Sequence, residues 1–138
     1  LQRPFAKAQM LWGGVLAARE PRSIAAVRQR ALALLEICDT HQVNFWRRAL
    51  LTLLGWAEAL DGDTSGLDRI DRSLRSNKAL RHLGFRAYRL MLFAHALEHH
   101  GHLKEALTAA DDALAVASRT GERWYLPELL LLHKKLSR

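Results

Sequence analysis

The sequence predicts an all-α protein, a right-handed stack of antiparallel helix pairs with about seven helices in 138 residues. Three observations carry this prediction. Landmarks return at a constant interval: Trp46, Phe85 and Trp124 are spaced 39 residues apart, and the same offset relates Gly62 to Gly101, Gly55 to Ala94 and Ala57 to Ala96. Self-similarity at such a period marks an architecture in which each repeat is one supersecondary unit. Between the landmarks, apolar residues recur at spacings of three and four, the period of a helix with one buried face. Proline is confined to Pro4, Pro21 and Pro127, which leaves long helices uninterrupted.

The clearest unit runs from Phe85 to Pro127. Leu90, Phe93, Ala94 and Leu97 form the apolar face of its first helix, and Leu103, Ala106, Leu107, Ala110, Ala113, Leu114 and Ala117 that of its second. The two meet at His100-Gly101-His102, and Thr120-Gly121 stops the second. Small residues at Ala106, Ala109, Ala110 and Ala113 allow a close helix–helix approach. Earlier units repeat this plan less cleanly. The boundaries predicted are about 3–42, 43–82 and 83–122 for three units and 123–137 for a closing helix, all in one domain.

In the first unit, Phe5 to Ala18 reads as a helix that Glu20-Pro21 ends, because the residue before proline avoids the α region. Gly13 and Gly14 weaken it and are expected to admit a neighbouring helix. Ser23 is placed to cap the next helix, whose stripe is Ile24, Val27, Ala31, Leu34, Leu35 and Cys38. In the second unit Leu50, Leu51, Leu53, Leu54 and Ala57 face inward, Asp61-Gly62-Asp63 turns, and Thr64 or Ser65 caps a helix with Leu67, Ile70 and Leu74 inside. Asp68/Arg72 and Asp71/Arg75 are i,i+4 pairs on its outer side. Ser76-Asn77 reads as an early end. The closing helix carries Leu126, Leu129, Leu130, Leu131, Leu132 and Leu136. That is more apolar surface than a capping helix presents to water, so it is expected to pack against another copy or another segment.

Composition narrows the function. Hydrophobic content of 49% and charged content of 25% are ordinary for a folded chain. No apolar run approaches the ~18 residues of a membrane span, and no signal-peptide pattern opens the chain. The single Cys38 excludes an internal disulfide and suits a reducing, cytoplasmic compartment. The chain begins on Leu1, which reads as a piece of a longer protein. A net charge of +7 invites nucleic-acid binding, but the basic residues are scattered and many have acidic neighbours. No Ser/His/Asp, Cys/His or paired-carboxylate arrangement is present, so no enzyme activity is expected, and no cofactor. Cys38 lies on an apolar stripe, where a free thiol behaves as a small hydrophobe. His95 and His99 share the i,i+4 spacing that lets two imidazoles meet one metal, but two ligands leave a tetrahedral site half filled, so no metal is expected. His100 and His102 flank a turn and are expected in solvent. Arg47-Arg48, Arg28/Arg30 and Lys134-Lys135 read as exposed basic faces.

The helix pairs resemble tetratricopeptide repeats, with a period longer than the ~34 residues of the standard unit. Gly55 or Ala94 stands at the small position, Gly62 or Gly101 at the turn, and Ala106 with Ala113 on the second helix. The C-terminal part, Gly101-x-x-Lys104-Glu105-Ala106-Leu107, Asp112-Ala113-Leu114-Ala115 and Thr120-Gly121-Glu122-Arg123-Trp124-Tyr125-x-x-Glu128-Leu129, is similar to the C-terminal repeats of large bacterial signalling ATPases. In that family a P-loop ATPase module precedes the repeats. Many members carry a nucleotide cyclase or a winged-helix or LuxR-type DNA-binding domain, as in maltose-regulator-like proteins. The chain departs from the family near its end, at Leu131 and Lys134-Lys135, and it contains no P-loop of its own.

The resemblance implies a non-catalytic interaction or effector-sensing segment of a bacterial ATP-dependent transcriptional or signalling regulator. Tetratricopeptide folds line their concave face with the first helix of each pair. That places Lys7, Met10, Thr52, Trp56, Tyr88, Met91, His95, Glu98 and His99, with Lys134, along a groove for a protein or small-molecule effector. Aromatic and methionine side chains are favoured at such binding sites. A fully buried Trp56 would remove it from that wall. The alternative is a nucleic-acid-binding helical repeat that uses its basic surface.

Overall fold

The computed structural model describes residues 4–19, 23–75 and 85–138. Among these the secondary structure is helical throughout: α1 (Pro4–Arg19), α2 (Ile24–His41), α3 (Arg47–Leu60), α4 (Ser65–Arg75), α5 (Arg86–His99), α6 (Leu103–Thr120) and α7 (Leu126–Leu136). The all-α prediction holds. No helix of the described residues is long and apolar enough to cross a membrane.

Helices consecutive in sequence pack as pairs, α1 with α2, α3 with α4 and α5 with α6, while α3 also packs on α2 and α5, and α7 on α6. The 39-residue interval has a structural counterpart in the turns. The backbone N–H groups of Gly62 and Asp63 bond to the carbonyls of Ala59 and Glu58; those of Gly101 and His102 bond to Glu98 and Leu97. Both glycines take positive φ, 97° and 80°, a region open to glycine at no steric cost. The same chemistry stops α6, where Gly121 at φ 74° returns its N–H to Ala117. The Ser23 position precedes α2 as predicted, but its side chain makes no cap bond. At the start of α4 the cap acceptor is Asp63, which takes hydrogen bonds from the Ser65 N–H at 2.9 Å and hydroxyl at 2.7 Å.

One apolar interior runs through the stack. Val27, Ala31, Leu34 and Cys38 of α2, Leu50 and Leu53 of α3, Ile70 of α4 and Leu92 of α5 are fully buried within it. The small-residue prediction for α6 is met by Ala106, Ala110 and Ala113, all buried. The tightest approach lies elsewhere, between α3 and α4. A Cβ on Gly66 would stand 2.4 Å from the Gly55 carbonyl oxygen, so this crossing requires glycine. The expectation for Gly13 and Gly14 is corrected: nothing lies within 4 Å of a Cβ at either position. These glycines face open space because α1 meets its neighbours through Ala8, Trp12 and Val15 instead. The predicted Glu20-Pro21 stop and the predicted end at Ser76-Asn77 lie outside the described residues.

The three landmark aromatics all lie just before a helix but in different settings, Trp46 buried and Trp124 48% exposed. Trp46 and Phe85 immediately precede α3 and α5, and Trp124 lies two residues before α7. Phe45, Phe85 and Trp124 form a chain of ring contacts, with centroids 5.3 Å and then 6.5 Å apart. Phe85 holds φ 62°, uncommon for a bulky residue, and its ring is also met by Trp12 at 5.3 Å.

Candidate functional site

The predicted groove residues fall into two groups. Trp56, Tyr88, Met91, His95 and Thr52 are brought together, but in the interior: Trp56, Met91 and Thr52 are fully buried, and Tyr88 and His95 nearly so. Trp56 Nε1 donates to His95 Nδ1 at 2.9 Å across a 39-residue separation, and the two rings stack at 5.9 Å. An acceptor Nδ1 requires the tautomer with its proton on Nε2. Thr52 Oγ1 accepts from Arg89 and donates to the Arg48 carbonyl. Lys7, Met10, His99 and Lys134 are exposed, and half-buried Glu98 pairs with Lys135 at 2.9 Å.

The reason for this burial is α1, which reaches side chains across the faces of α3 and α5. Trp12 meets Tyr88 edge-on at 6.3 Å. The guanidinium of Arg19 lies over the rings of Trp56 and Tyr88, 5.6 and 5.8 Å from their centroids. Arg19 also pairs with Glu128 at the start of α7, so the first and last helices are joined over the aromatic face. The Trp56 wall on which an effector was expected is therefore covered from within the chain.

Beside this covered face lies a cleft of about 350 Å³ between α1, α5 and α7, bounded by Leu16, Arg19, Tyr88, Trp124, Tyr125 and Glu128. The three aromatics contact one another, Tyr88 to Trp124 at 4.7 Å, Trp124 to Tyr125 at 5.0 Å and Tyr88 to Tyr125 at 6.0 Å. Trp124 is 48% exposed. Tyr88 and Tyr125 are nearly fully buried, so the ring face offered to an apolar or planar group is that of Trp124, with a guanidinium and a carboxylate at the cleft to orient its polar atoms. Sequence reasoning did not place Trp124, Tyr125, Arg19 or Glu128 at a site. Trp124 was visible only as a repeat landmark, and an aromatic pair just before a helix-starting proline was the signal available.

The chemistry on offer is recognition. Burial, then the Glu122 charge, pushes the Tyr125 phenol up, which keeps it neutral. Burial and the neighbouring Asp39 likewise raise the Cys38 thiol, against a smaller opposing effect of Arg47. A buried thiol of this kind is a poor nucleophile. Among the described residues no group of three or more His, Cys, Asp or Glu side chains converges as metal ligands would. Two surface expectations are corrected. His100 is half-buried and its Nε2 bonds to the Ala59 carbonyl at 2.6 Å, tying the end of α5 to the end of α3. Arg48 is not part of an exposed face, for its Nη1 is buried; only Arg47 turns outward, to Asp39.

Comparison of the chain with protein-family models, with curated proteins and with solved structures gave no match.

Proposed function

We propose that this chain is a non-catalytic helical-repeat module, tetratricopeptide-like and right-handed in its stacking. Its role is to bind a protein or small-molecule effector for a bacterial ATP-dependent transcriptional or signalling regulator. The observation that carries the binding role is the aromatic cleft where Tyr88, Trp124 and Tyr125 meet the Arg19–Glu128 pair. It joins the first helix to the last, so an occupant would fix the curvature of the whole stack. The repeated turn at Gly62 and Gly101 supports the repeat character. The regulator context rests on the similarity of the Gly101–Leu129 stretch to the repeats of signalling ATPases.

The test is a fluorescence screen of planar metabolites and aromatic-containing peptides against the wild-type chain and Trp124→Ala. Ligands of the cleft lose affinity for the variant while its melting temperature is unchanged. Ligands that bind both proteins equally, or a screen in which every hit survives the substitution, would remove the cleft from the proposal. The regulator context separately requires a P-loop ATPase module upstream in the full-length protein, and a full-length sequence without one would overturn that part alone.

A further inference from the structure

The first turns of α3 and α5 hold a cluster of positive charge that no ion pair among the described residues neutralises. Arg89 is 1% exposed. Its Nε donates to Thr52 Oγ1 at 3.0 Å and its Nη2 to Ser73 Oγ at 2.7 Å, so the partners seen are neutral hydroxyls. A guanidinium this deeply buried is ordinarily paired with a carboxylate. Here the charges that reach it are those of Arg86 and Arg48, which together with burial lower its pKa to about 10, burial being the larger cause. Arg48 brings a buried Nη1 with no hydrogen-bond partner among the described residues. Arg86 donates Nη1 to the Leu74 carbonyl at 3.1 Å.

Two further facts deepen the imbalance. Arg48 is the second residue of α3, and Arg86 and Arg89 are the first and fourth of α5. These are the positive ends of the helix dipoles, where anions are favoured and cations are not. Neither first turn contains an acidic residue, and neither Trp46 nor Phe85 caps its helix with a side chain. Arg86 shares a cavity with Asp71, Glu105 and Asp112, of which Asp71 pairs with Arg75. No ion pair brings a carboxylate to Arg48 or Arg89 among the described residues, and Glu58 pairs with Arg69. Residues 76–84, which connect α4 to α5, read Ser-Asn-Lys-Ala-Leu-Arg-His-Leu-Gly and contain no carboxylate.

We propose that Arg48, Arg86 and Arg89 form a binding site for a polyvalent oxyanion, a phosphoryl group, with Thr52 and Ser73 positioning the Arg89 fork. Guanidinium donors match the geometry of phosphate and carboxylate oxygens alike. A phosphoryl group is favoured because it brings about 1.5 to 2 negative charges against three cations, whereas one carboxylate leaves most of the imbalance standing. None of the three arginines lines the aromatic cleft, and the site does not rest on the effector reading.

The experiment is calorimetry and thermal melting of the 138-residue chain with inorganic phosphate, and in parallel with succinate, at constant ionic strength. Saturable phosphate binding is expected, with a melting temperature that climbs with phosphate concentration. Arg48→Gln, at a half-buried position, is expected to weaken phosphate about tenfold by removing a charge-assisted donor. Arg89→Met, which also takes the partner from the Thr52 and Ser73 hydroxyls, is expected to abolish the response. If Arg89→Met does not fold, Arg48→Gln and Arg86→Gln carry the test. Absence of saturable phosphate binding up to about 10 mM would overturn the proposal, as would an unchanged affinity in Arg48→Gln. Tight succinate binding with no phosphate binding would overturn the phosphoryl assignment in favour of a carboxylate ligand.

Discussion

Gly66→Ala tests the closest contact in the stack. The added Cβ would lie 2.4 Å from the Gly55 carbonyl oxygen, 2.7 Å from the Ala59 nitrogen and 3.1 Å from Glu58 Cβ. Two of the three are backbone atoms, which no rotamer change can move. Restoring ordinary contact needs a retreat of α4 by about 1 Å, and that retreat loosens Ile70 and Leu74, both buried against the core. Overpacking of this kind costs ~1–3 kcal/mol, while replacing glycine in a helix returns at most ~1 kcal/mol. The expected net loss is ~1–2 kcal/mol, which shifts a urea midpoint by roughly 1 M at typical m-values. Gly13→Ala and Gly14→Ala supply the contrast, because a Cβ at either meets nothing within 4 Å. Each should gain up to ~1 kcal/mol from helix propensity alone. Urea unfolding followed by circular dichroism reads all three. A Gly66→Ala midpoint at or above wild type would refute the close crossing, and a fall in Gly13→Ala as large as that expected for Gly66→Ala would refute the open face of α1.

His95→Phe should leave the Trp56 indole N–H buried without its 2.9 Å acceptor and cost ~1–3 kcal/mol, measured in the same urea assay. The Arg19–Glu128 pair, with Glu128 39% exposed, should show a coupling of no more than ~1 kcal/mol in a double-mutant cycle at moderate salt. The Asp63 carboxyl is held below its ordinary value of 3.8, first by the Ser65 hydroxyl, then by the Ser65 N–H. A depressed folded pKa gives stability that is present above the unfolded pKa and is lost as pH falls through the folded one. The stability gap between wild type and Asp63→Ala should therefore be full at pH 7 and shrink below about pH 4, as read by melts across pH. On α7, Leu131 is 71% and Leu130 50% exposed. Self-association through that face predicts that Leu131→Glu sediments as a monomer at concentrations where wild type does not, with stability within about 0.5 kcal/mol.

The helices were legible because their signals are local. Spacing of three and four marked the buried stripe of α2 from Val27 to Cys38, and glycine marked the turns at Gly62 and Gly101 and the end of α6. Whether a first-helix face stays open was not legible. Trp56 is covered by Arg19, 37 positions earlier in the chain, and Tyr88 by Trp12, 76 positions earlier; no pattern within either helix records which distant side chain arrives. Arg47-Arg48 shows the same limit at short range. Adjacent helical residues point about 100° apart, so one meets Asp39 at the surface while the other carries its Nη1 inward, and a count of basic residues cannot separate them. Gly66 escaped notice because a glycine beside a turn has a ready local explanation, whereas its actual constraint is the backbone of α3.

The two candidate sites share α5, and its burial decides which substitutions can report on either. Ten of its 14 residues are buried, because α3, α4 and α6 all pack on it. Tyr88 faces the cleft and Arg89, the next residue, faces the basic cluster, so changes at either disturb the centre of the fold along with a site. Trp124 and Arg48 stand at the margins of the same two sites, on α5's neighbours rather than on α5. A loss of binding at Trp124→Ala or Arg48→Gln with an unchanged melting temperature separates recognition from stability. The same loss at Tyr88 or Arg89, accompanied by lower stability, would not make that separation.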